Sequence, residues 1–367
     1  MFNFSSNKPP EKTKVVVAMS GGVDSSVVAA KLHMLGYNVT GITLQLYDQG
    51  AALAKKGACC AGQDIYDAKS VADKFGFPHY VLDYESKFRQ SVIDDFADSY
   101  IRGETPLPCV RCNQSVKFKD LLKMAKELDA DYLATGHYVN VIEGANGPEL
   151  HKGKETSKDQ SYFLFATTKE QLEFLRFPLG FMTKQETRKE ALDLGLIVAD
   201  KADSQDICFV PNGNYAEIIK KIRPEAEIPG KILHVDGFEL GEHKGIINYT
   251  IGQRKGLNIA YGSPLYVVKI DPENNIVYLG RENDLYSEEF IAKELNWIGD
   301  YKVPEDGLEV EVKIRSAHKG AKAKIYLLDD NYIHVKLVAQ EKSVTPGQAC
   351  VFYQGTRVLG GAWILRK

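Results

Sequence analysis

The sequence predicts an α/β protein that begins with a doubly wound, mostly parallel sheet and ends with a small β-barrel. In the first part, short β-branched runs alternate with amphipathic segments of helix length. Near residue 211 this alternation stops, and period-2 patterns separated by turn residues follow. The chain has 367 residues, more than one hydrophobic core usually serves, so we expect two or three domains.

The elements of the first part alternate regularly between strand and helix. The predicted strands lie at residues 15–19, 39–46, 80–82 and 132–135. The predicted helices lie at residues 25–35, 65–75, 87–100 and 117–128. Such alternation favours parallel pairing, and the ligands of such sheets bind at the carboxyl ends of the strands.

The second part is predicted to consist of strands. Residues 266–270 and 276–280 flank a turn and form a hairpin. Five further strands, typical of a small barrel, are predicted at residues 310–315, 322–328, 332–337, 349–353 and 357–364. We place three domains at residues 1–214, 215–282 and 283–367, with residues 1–14 as a short flexible leader.

Composition limits the class of protein further. Hydrophobic residues make up 44% and charged residues 26%, which excludes a mainly disordered or coiled-coil chain. The net charge of −3 shows no global basic bias, so a nucleic-acid site would have to be a local patch. No apolar stretch is long enough to span a bilayer, and the six cysteines are too sparse for a disulfide scaffold. We expect a cytoplasmic protein with reduced thiols and no membrane partner.

A turn containing two glycines, Ser20-Gly-Gly-Val-Asp-Ser25, joins the first predicted strand to the first predicted helix. Gly21 and Gly22 allow an anion to approach the backbone, and the helix adds its positive dipole end. Ser20 and Ser25 offer hydroxyl donors, while Asp24 is suited to hold a Mg²⁺ ion that bridges phosphates. The turn therefore predicts a phosphate loop; the alternative is a plain turn in which Asp24 or Ser25 caps the helix.

The loop lacks both the Walker A lysine and the G-x-G-x-x-G pattern. It resembles the pyrophosphate loop of the ATP pyrophosphatase superfamily, whose members cleave ATP between the α and β phosphates and adenylate a substrate. The resemblance implies ATP with Mg²⁺ as cofactors. The loop alone does not choose among the members of that superfamily.

A C-x-x-C pair, Cys109 and Cys112, follows two prolines, so we expect an exposed loop that precedes a helix. The pair could be half of a zinc site, but no second pair completes one, and we expect no zinc and no fixed metal site in the protein. The pair could also be a thioredoxin-like dithiol, or it could contain a nucleophile whose pKa is lowered by neighbouring basic residues. Cys208 is a further candidate thiol, although a lone cysteine is most often a core residue.

Seven motifs follow one another in a fixed order along residues 14–365. They are Ala18-Met-Ser-Gly-Gly-Val-Asp-Ser25, Thr105-Pro-Leu-Pro-Cys-Val-Arg-Cys-Asn113, Ala134-Thr-Gly-His-Tyr138, Lys158-Asp-Gln-Ser-Tyr-Phe163, Asp203-Ser-Gln-Asp-Ile-Cys-Phe209, Tyr249-Thr-Ile-Gly-Gln-Arg-Lys-Gly-Leu257 and Val344-Thr-Pro-Gly-Gln348. Together they resemble the tRNA-specific 2-thiouridylase family. Several matches in one order are far more specific than a single loop.

The resemblance implies an adenine nucleotide alpha-hydrolase-like domain followed by a central domain and a β-barrel, which both grip tRNA. It implies a sulfurtransferase that adenylates C2 of the wobble uridine in a tRNA anticodon loop and then inserts persulfide sulfur. The products would be 2-thiouridine, AMP and pyrophosphate. A persulfide-donating carrier protein would supply the sulfur.

The same resemblance assigns roles to individual residues. Cys112 would be the nucleophile and Cys208 the persulfide carrier, and the two would end in a transient disulfide. ATP would be bound by Ala18, Met19, Ser20, Gly21, Gly22, Val23, Asp24, Ser25, Leu44 and Gly136. The tRNA would be bound by Leu107, Pro108, Cys109, His137, Lys158, Asp159, Gln160, Arg315, Ser316 and Gln348.

Three of these positions allow a second interpretation. Many members of the family carry Asn-Pro-Asp where Leu107-Pro-Cys109 stands, so an aspartate contact to the base is missing and Cys109 is an extra thiol. An aromatic residue often stands where this chain has Ser316. A lone histidine such as His137 could equally be a plain hydrogen-bonding residue.

A local cluster of basic residues offers a surface for tRNA. Residues 312–328 contain no acidic residue, but they contain Lys313, Arg315, His318, Lys319, Lys322 and Lys324. A lysine-protected strand edge would explain the same pattern. Two other functions stay open: an amide-forming synthetase of the same superfamily, and a non-catalytic RNA-binding protein that uses a nucleotide as a switch.

Overall fold

A computed structural model describes residues 4, 8–47, 60–203, 207–210, 213–329 and 331–366. Cys59 and the three residues that follow Asp203 in its motif lie outside them. The chain forms two compact units. The first comprises Met1–Ser91, Cys109–Gln205 and Thr356–Val358, and the second comprises Val92–Pro108, Asp206–Gly355 and Leu359–Lys367. Cys112 and Cys208 therefore belong to different units.

The first unit is built on a parallel sheet. The strands of this unit are β1 (Lys14–Ala18), β2 (Asn38–Gln45), β3 (His79–Asp83), β4 (Tyr132–Ala134), β5 (Val139–Gly144), β6 (Gly147–Lys152) and β7 (Leu175–Arg176). Five strands pair in parallel in the order β3-β2-β1-β4-β7, while β5 and β6 form an antiparallel hairpin. The central position of β1, with strands added on both sides, confirms the predicted doubly wound fold.

Helices surround this sheet and continue into the second unit. In the described residues they are α1 (Val23–Met34), α2 (Cys60–Phe75), α3 (Glu85–Phe88), α4 (Asp94–Ile101), α5 (Pro108–Cys112), α6 (Leu122–Glu127), α7 (Lys169–Phe174), α8 (Lys184–Asp193) and α9 (Tyr215–Ile222). Two π-helical segments, Arg89–Ile93 and Asn113–Leu121, join α3 to α4 and α5 to α6. Such segments are frequently found at functional sites.

The core of the first unit includes apolar residues of β1 and α1. The three valines at the centre of β1 are at most 2% exposed, as expected for a parallel strand covered on both faces. In α1, Val27, Val28 and Leu32 are fully buried. The leader was expected to be flexible, but Phe4 is buried, and its ring lies 5.1 Å from that of Tyr37. Flexibility of the leader stays a prediction.

The central part of the second unit contains a four-stranded sheet. Its strands are β8 (Gly230–His234), β9 (Glu239–His243), β10 (Tyr266–Asp271) and β11 (Ile276–Gly280), in the order β10-β11-β8-β9. The antiparallel pair of β10 and β11 confirms the predicted hairpin. The helix α9 was not predicted, because only strands were expected after residue 211. Its start is signalled by Asn214, whose side chain accepts a hydrogen bond from the Glu217 backbone N–H.

The last part of the second unit is a closed barrel of six strands. They are β12 (Tyr286–Trp297), β13 (Leu308–Lys313), β14 (Ala321–Leu327), β15 (Tyr332–Lys342), β16 (Ala349–Gln354) and β17 (Arg357–Ile364). The order is β12-β15-β14-β13-β16-β17, and β12 also pairs with β17, which confirms the predicted barrel. Sequence reasoning missed β12 because its solvent-facing positions carry charges that blur the apolar alternation. No helix within the described residues is long and apolar enough to cross a membrane.

Candidate active site

The phosphate loop lies between the end of β1 and the start of α1. Gly22 is the N-cap of α1, and it provides no side chain to satisfy the N–H groups of the first turn. Ser25 instead turns back and accepts a hydrogen bond from the Ser20 backbone N–H at 3.1 Å. Neither Asp24 nor Ser25 caps the helix, so a plain capped turn is not what the structure shows. The N-cap residue therefore leaves the N–H groups at the start of this 12-residue helix uncapped, and such groups favour an anion.

Two glycines in this region are required by close backbone approaches. Gly21 has φ +72°, and a Cβ there would lie 2.1 Å from the carbonyl oxygen of Asp64. A Cβ on Gly136 would lie 2.9 Å from the Ser25 backbone nitrogen. The close partner of Gly136 is therefore the first turn of α1. Contact of Gly136 with adenosine stays a prediction.

Asp24 projects from the first turn of α1 into a network of hydrogen bonds. The Tyr138 hydroxyl donates to its carboxylate at 2.7 Å, and the Lys184 ammonium donates to both oxygens, at 2.7 and 2.8 Å. Burial, together with the nearby Asp24 charge, raises the pKa of Tyr138, which keeps the phenol protonated as a donor. Neither Tyr138 nor Lys184 was among the predicted site residues.

Asp203 joins this network from the other side. Its carboxylate lies 3.0 Å from Lys184, 2.9 Å from Lys158 and 2.7 Å from Arg188. Burial alone would raise the pKa of Asp203, but the hydrogen bonds from Lys158 and Lys184 outweigh it and hold that pKa well below its usual range. Asp203 is therefore an anion that fixes three cations beside the phosphate loop.

A second lysine, Lys201, contacts the backbone of the phosphate loop. Lys201 donates to the Gly21 carbonyl oxygen at 2.9 Å and to the carboxylates of Asp64 and Asp67, each at 2.6 Å. Burial acts to lower the pKa of Lys201, but its bonds to the two aspartates raise it overall, so the ammonium stays charged. No motif pointed to Lys201, since its partners come together only in the folded chain.

The C-x-x-C pair does not lie in an exposed loop as predicted, because α5 already begins at Pro108. Proline is tolerated at the start of a helix, where its missing N–H has no partner to lose. The two cysteines are consequently separated by environment: Cys109 is exposed and Cys112 is 7% exposed. Cys112 is a free thiol in this structure, and the disulfide with Cys208 stays a prediction.

The environment of Cys112 does not activate its thiol. Burial raises the pKa of that thiol, and the charge of Lys117, which acts in the opposite direction, does not compensate. For Cys112, a pKa lowered by neighbouring basic residues is therefore not what the structure shows. At neutral pH Cys112 is therefore mainly the protonated thiol.

His137 follows the end of β4 and lies among aromatic rings. Its Nδ1 is 2.8 Å from the Thr135 hydroxyl, and its ring meets Phe118 and Phe177 edge to face at 6.0 and 6.1 Å. Burial, assisted by the charge of Lys117, lowers the pKa of His137 to about 3. At neutral pH the imidazole is uncharged, which favours a hydrogen-bonding role over proton transfer.

Lys158, Asp159 and Gln160, which are predicted to contact tRNA, form hydrogen bonds within the first unit. Lys158 holds Asp203, and the Asp159 carboxylate accepts hydrogen bonds from the backbone N–H groups of Gly153 and Ser161. The side-chain oxygen of Gln160 accepts from the Tyr138 backbone N–H at 2.8 Å. These bonds order the segment that leads into the site, while its contacts with tRNA stay predictions.

The remaining ATP-site prediction, Leu44, is half-buried near the end of β2, opposite Leu82 of β3. This places it at the carboxyl edge of the sheet, where α1 also begins. Adjacent strand ends of a doubly wound sheet are where such folds bind ligands. The contact of Leu44 with adenosine stays a prediction.

In the second unit, Cys208 is exposed, and the next residue anchors it. Phe209 is buried and meets Phe96 edge to face, with ring centroids 5.2 Å apart.

Leu107 lies on a segment that two hydrogen bonds attach to the barrel. The Thr105 N–H donates to the Pro346 carbonyl oxygen at 2.8 Å, and the Gln348 amide donates to the Thr105 carbonyl oxygen at 3.0 Å.

Several basic residues of the predicted barrel cluster lie beside acidic residues of neighbouring strands. Lys322 pairs directly across the sheet with Glu311, and Lys324 with Glu309. His318, counted in the predicted cluster, is 8% exposed and lies 3.1 Å from Glu341, so it is not part of the surface. Arg315 and Ser316 are both exposed.

No group of three or more His, Cys, Asp or Glu side chains in the described part of the chain could hold a metal ion. Asp24 offers one carboxylate, which fits Mg²⁺, since that ion usually takes one or two carboxylates together with phosphate oxygens and water. The absence of zinc stays a prediction.

Residues 13–212 match the family model described as the tRNA methyl transferase HUP domain. Residues 216–281 match the tRNA methyl transferase PRC-barrel domain, and residues 287–364 match the Aminomethyltransferase beta-barrel domain. The tRNA-specific 2-thiouridylase MnmA of Rickettsia felis is 66% identical over 98% of this chain and 99% of its own length. The chain belongs to the tRNA-specific 2-thiouridylase family.

Other 2-thiouridylases match similarly: the protein of Rickettsia conorii is 65% identical over 98% of both chains. A solved structure of a 4-thiouridine synthetase bound to RNA and ATP is 19% identical, covers 58% of this chain and 50% of that one, and has a TM-score of 0.38. As a member of the 2-thiouridylase family, the chain is a sulfurtransferase.

Proposed function

We propose that this protein converts the wobble uridine of tRNA to 2-thiouridine in two steps, ATP-dependent adenylation and persulfide sulfur transfer. The observation that supports it most strongly is a relative named as a tRNA-specific 2-thiouridylase that is 66% identical over 98% of the chain. The helix N-terminus without a side-chain cap, beside Asp24 and its cations, supports the use of ATP.

The first step uses the phosphate loop. The loop residues 18–25 hold the ATP phosphates, with Leu44 and Gly136 against the adenosine. Bound Mg²⁺ would be held by Asp24 and would neutralise charge on the phosphates. The uridine O2 attacks the α-phosphorus, the bond to the β-phosphate oxygen breaks, and pyrophosphate leaves. This turns a urea-type oxygen, a very poor leaving group, into part of AMP.

The second step uses the cysteines. The terminal sulfur of a persulfide on Cys208 attacks C2, and AMP departs with the former carbonyl oxygen. The Cys112 thiolate then attacks the Cys208 sulfur, which breaks the S–S bond to the transferred sulfur and leaves a disulfide between Cys112 and Cys208. A thiol reductant must restore both thiols, and a persulfide-donating carrier protein must reload Cys208. Such chemistry fits a reducing compartment, so we place it in the cytoplasm.

The proposed tRNA contacts come from three groups of residues. Leu107, Pro108 and Cys109 contact the target base, with His137 as a neutral hydrogen-bonding partner. Lys158, Asp159 and Gln160, together with Arg315, Ser316 and Gln348, contact the rest of the anticodon arm. A base in a single-stranded loop leaves its stack at a cost of about a few kcal/mol, which favours an anticodon loop over a duplex.

We also propose three domains, at residues 1–214, 215–282 and 283–367. The family matches support this division because they end and begin at residues 212 and 216, and again at 281 and 287. The first domain adenylates and transfers sulfur, and the other two bind tRNA.

The test is ATP-dependent thiolation of tRNA, read out as retardation on a mercury-containing gel. We expect no thiolation by Cys112→Ser or Cys208→Ser, because each removes one sulfur of the transfer, and measurable activity in Cys109→Ser. A matched control is Cys350→Ala, a buried thiol in the barrel, which should retain activity. Full activity of Cys112→Ser or Cys208→Ser would overturn the mechanism.

The same variants separate the two rival functions. An amide-forming synthetase would release pyrophosphate without tRNA and would not need either cysteine. A nucleotide-switched RNA-binding protein would bind ATP and tRNA but release no pyrophosphate. Pyrophosphate release that depends on tRNA and persists in Cys208→Ser is the result expected here.

A further inference from the structure

Cys109 and Cys112 lie on the same side of one continuous helical segment. This segment begins at Pro108, runs through α5 and the π-helical turns, and ends at Glu127. Residues three positions apart are neighbours on a helix, and helix geometry puts their Cα atoms about 5 Å apart. A disulfide requires Cα atoms roughly 4.4 to 6.8 Å apart. The two thiols can therefore form a disulfide without a large movement of the backbone.

The two thiols have opposite surroundings. Cys109 is exposed, whereas Cys112 is only 7% exposed. Burial raises the pKa of the Cys112 thiol, and the charge of Cys109 acts in the same direction, as expected for two neighbouring sulfur atoms. Because the Cys112 thiolate is not stabilised, the reduced pair has no special advantage over the disulfide. This arrangement suits a pair that is oxidised and reduced in turn, since only the first thiol meets reagents in solution.

The sulfur of Cys112 is shielded from reagents in solution but not from Cys109. Exchange between thiols and disulfides is a direct attack on sulfur, so it requires access to the atom attacked. A thiol in solution has little access to Cys112, whereas Cys109 is held within one helical turn of it. Such tethering gives an effective concentration of about millimolar or higher. An attack on the Cys112 sulfur is therefore fastest from Cys109.

We propose that Cys109 is the resolving thiol of the reaction cycle and forms a transient disulfide with Cys112. The Cys109 thiolate attacks the Cys112 sulfur of the disulfide between Cys112 and Cys208. That S–S bond breaks, a bond between Cys109 and Cys112 forms, and Cys208 leaves as a thiolate. The number of disulfide bonds is conserved, so the exchange needs no oxidant. The thiol reductant of the proposed function then supplies two electrons at the exposed Cys109 sulfur and regenerates both thiols.

This role rests on the proposed function, because it begins from the disulfide with which the sulfur transfer ends. After the exchange the oxidised pair is confined to the first unit, and Cys208 is free to accept the next persulfide sulfur. Formation of the disulfide between Cys109 and Cys112 requires neither ATP nor tRNA. It can therefore be tested separately from the transfer.

Direct reduction at the exposed Cys208 sulfur predicts a different oxidised state. The disulfide between Cys112 and Cys208 would then persist until a reductant attacks it, and Cys109 would stay a thiol. If Cys109 resolves that disulfide, the oxidised enzyme carries the bond between Cys109 and Cys112, and Cys208 is a thiol. The identity of the disulfide after one sulfur transfer therefore distinguishes the two routes.

The sequence allows these disulfides to be told apart by mass. Trypsin cleaves after Lys and Arg, so it cuts at Arg111, between the two cysteines of the pair. The resulting peptides are residues 103–111 with Cys109, residues 112–117 with Cys112 and residues 202–220 with Cys208. Each possible disulfide therefore joins a different pair of peptides.

The first experiment is a redox titration of the full chain carrying Cys208→Ser. The protein is equilibrated in glutathione buffers of increasing oxidised fraction, alkylated and digested with trypsin. We expect peptides 103–111 and 112–117 to shift from separate to joined in a two-electron transition. The matched control adds Cys109→Ser, which should leave these two peptides separate in every buffer. If they also stay separate in Cys208→Ser alone in the most oxidising buffer, the inference is overturned, whatever the fate of the proposed function.

The second experiment follows one sulfur transfer in the absence of a reductant. The wild type is loaded with glutathione persulfide, freed of excess reagent and mixed with ATP, Mg²⁺ and tRNA before alkylation and digestion. We expect peptide 112–117 joined to 103–111 in the wild type, with Cys208 alkylated, and joined to 202–220 in Cys109→Ser. A wild type in which 112–117 stays joined to 202–220 would refute the exchange. If the wild type thiolates no tRNA, the proposed function fails and the resolving role fails with it, while the titration still decides whether the disulfide forms.

Discussion

The phosphate loop and the outer face of the barrel are both rich in charge, but they hold it differently. At the loop, Asp24 and Asp203 share the ammonium of Lys184, which is only 11% exposed. On the barrel, Lys322 and Lys324 face Glu311 and Glu309 across two strands at the surface. The comparison teaches that burial decides how strongly an ion pair stabilises the structure, because water and salt screen exposed pairs and leave them little interaction free energy.

The comparison predicts its largest effect at Asp24. Replacement by Asn keeps the shape and the acceptor oxygen but removes the charge that Mg²⁺ and Lys184 need. We expect tRNA-dependent pyrophosphate release to fall by roughly 100-fold or more, measured with a coupled pyrophosphate assay. Asp131→Asn is the matched control, since that carboxylate pairs with Lys8 away from the loop. Release within twofold of the wild type in Asp24→Asn would show that Asp24 has only a structural role.

A smaller effect is expected when the backbone around the loop is disturbed and its charge is left unchanged. In Gly136→Ala the new Cβ would lie 2.9 Å from the Ser25 nitrogen, so the first turn of α1 must shift. We expect a loss of about 1–3 kcal/mol in the free energy of unfolding, from urea denaturation, and a higher KM for ATP. Gly262→Ala is the control, because no atom lies within 4 Å of its Cβ position. Identical KM and stability in both variants would mean that the tight contact at 136 is unimportant.

The smallest effect is expected on the barrel. In Lys322→Ala the loss of one exposed charge, already opposed by Glu311, should weaken tRNA binding by no more than about threefold. The slope of log affinity against log salt should change by less than about one. Glu311→Gln should strengthen binding slightly at low salt, as measured by filter binding. A tenfold loss in Lys322→Ala would show that this face carries a main phosphate contact, contrary to the comparison.

The sequence was most informative where a pattern is local. The strand that ends at Ala18, the glycine turn and the helix that follows are consecutive, so their geometry could be predicted from order alone. The helix α9 was missed because only strands were expected after residue 211, and the strand β12 because it carries charges on its exposed side. For Cys109 and Cys112, the two prolines suggested a loop, whereas one of them opens a helix.

The sequence by itself determined the fold class, the phosphate loop and the family, because glycines, prolines and apolar periodicity act on neighbouring residues. Only the tertiary structure decided which charges meet. Lys184 is 160 residues from Asp24, and Lys201 is 180 residues from Gly21, so no local pattern could join them. It also decided that Cys112 is buried with a raised pKa, since desolvation depends on what packs around a thiol and not on the charges beside it in sequence.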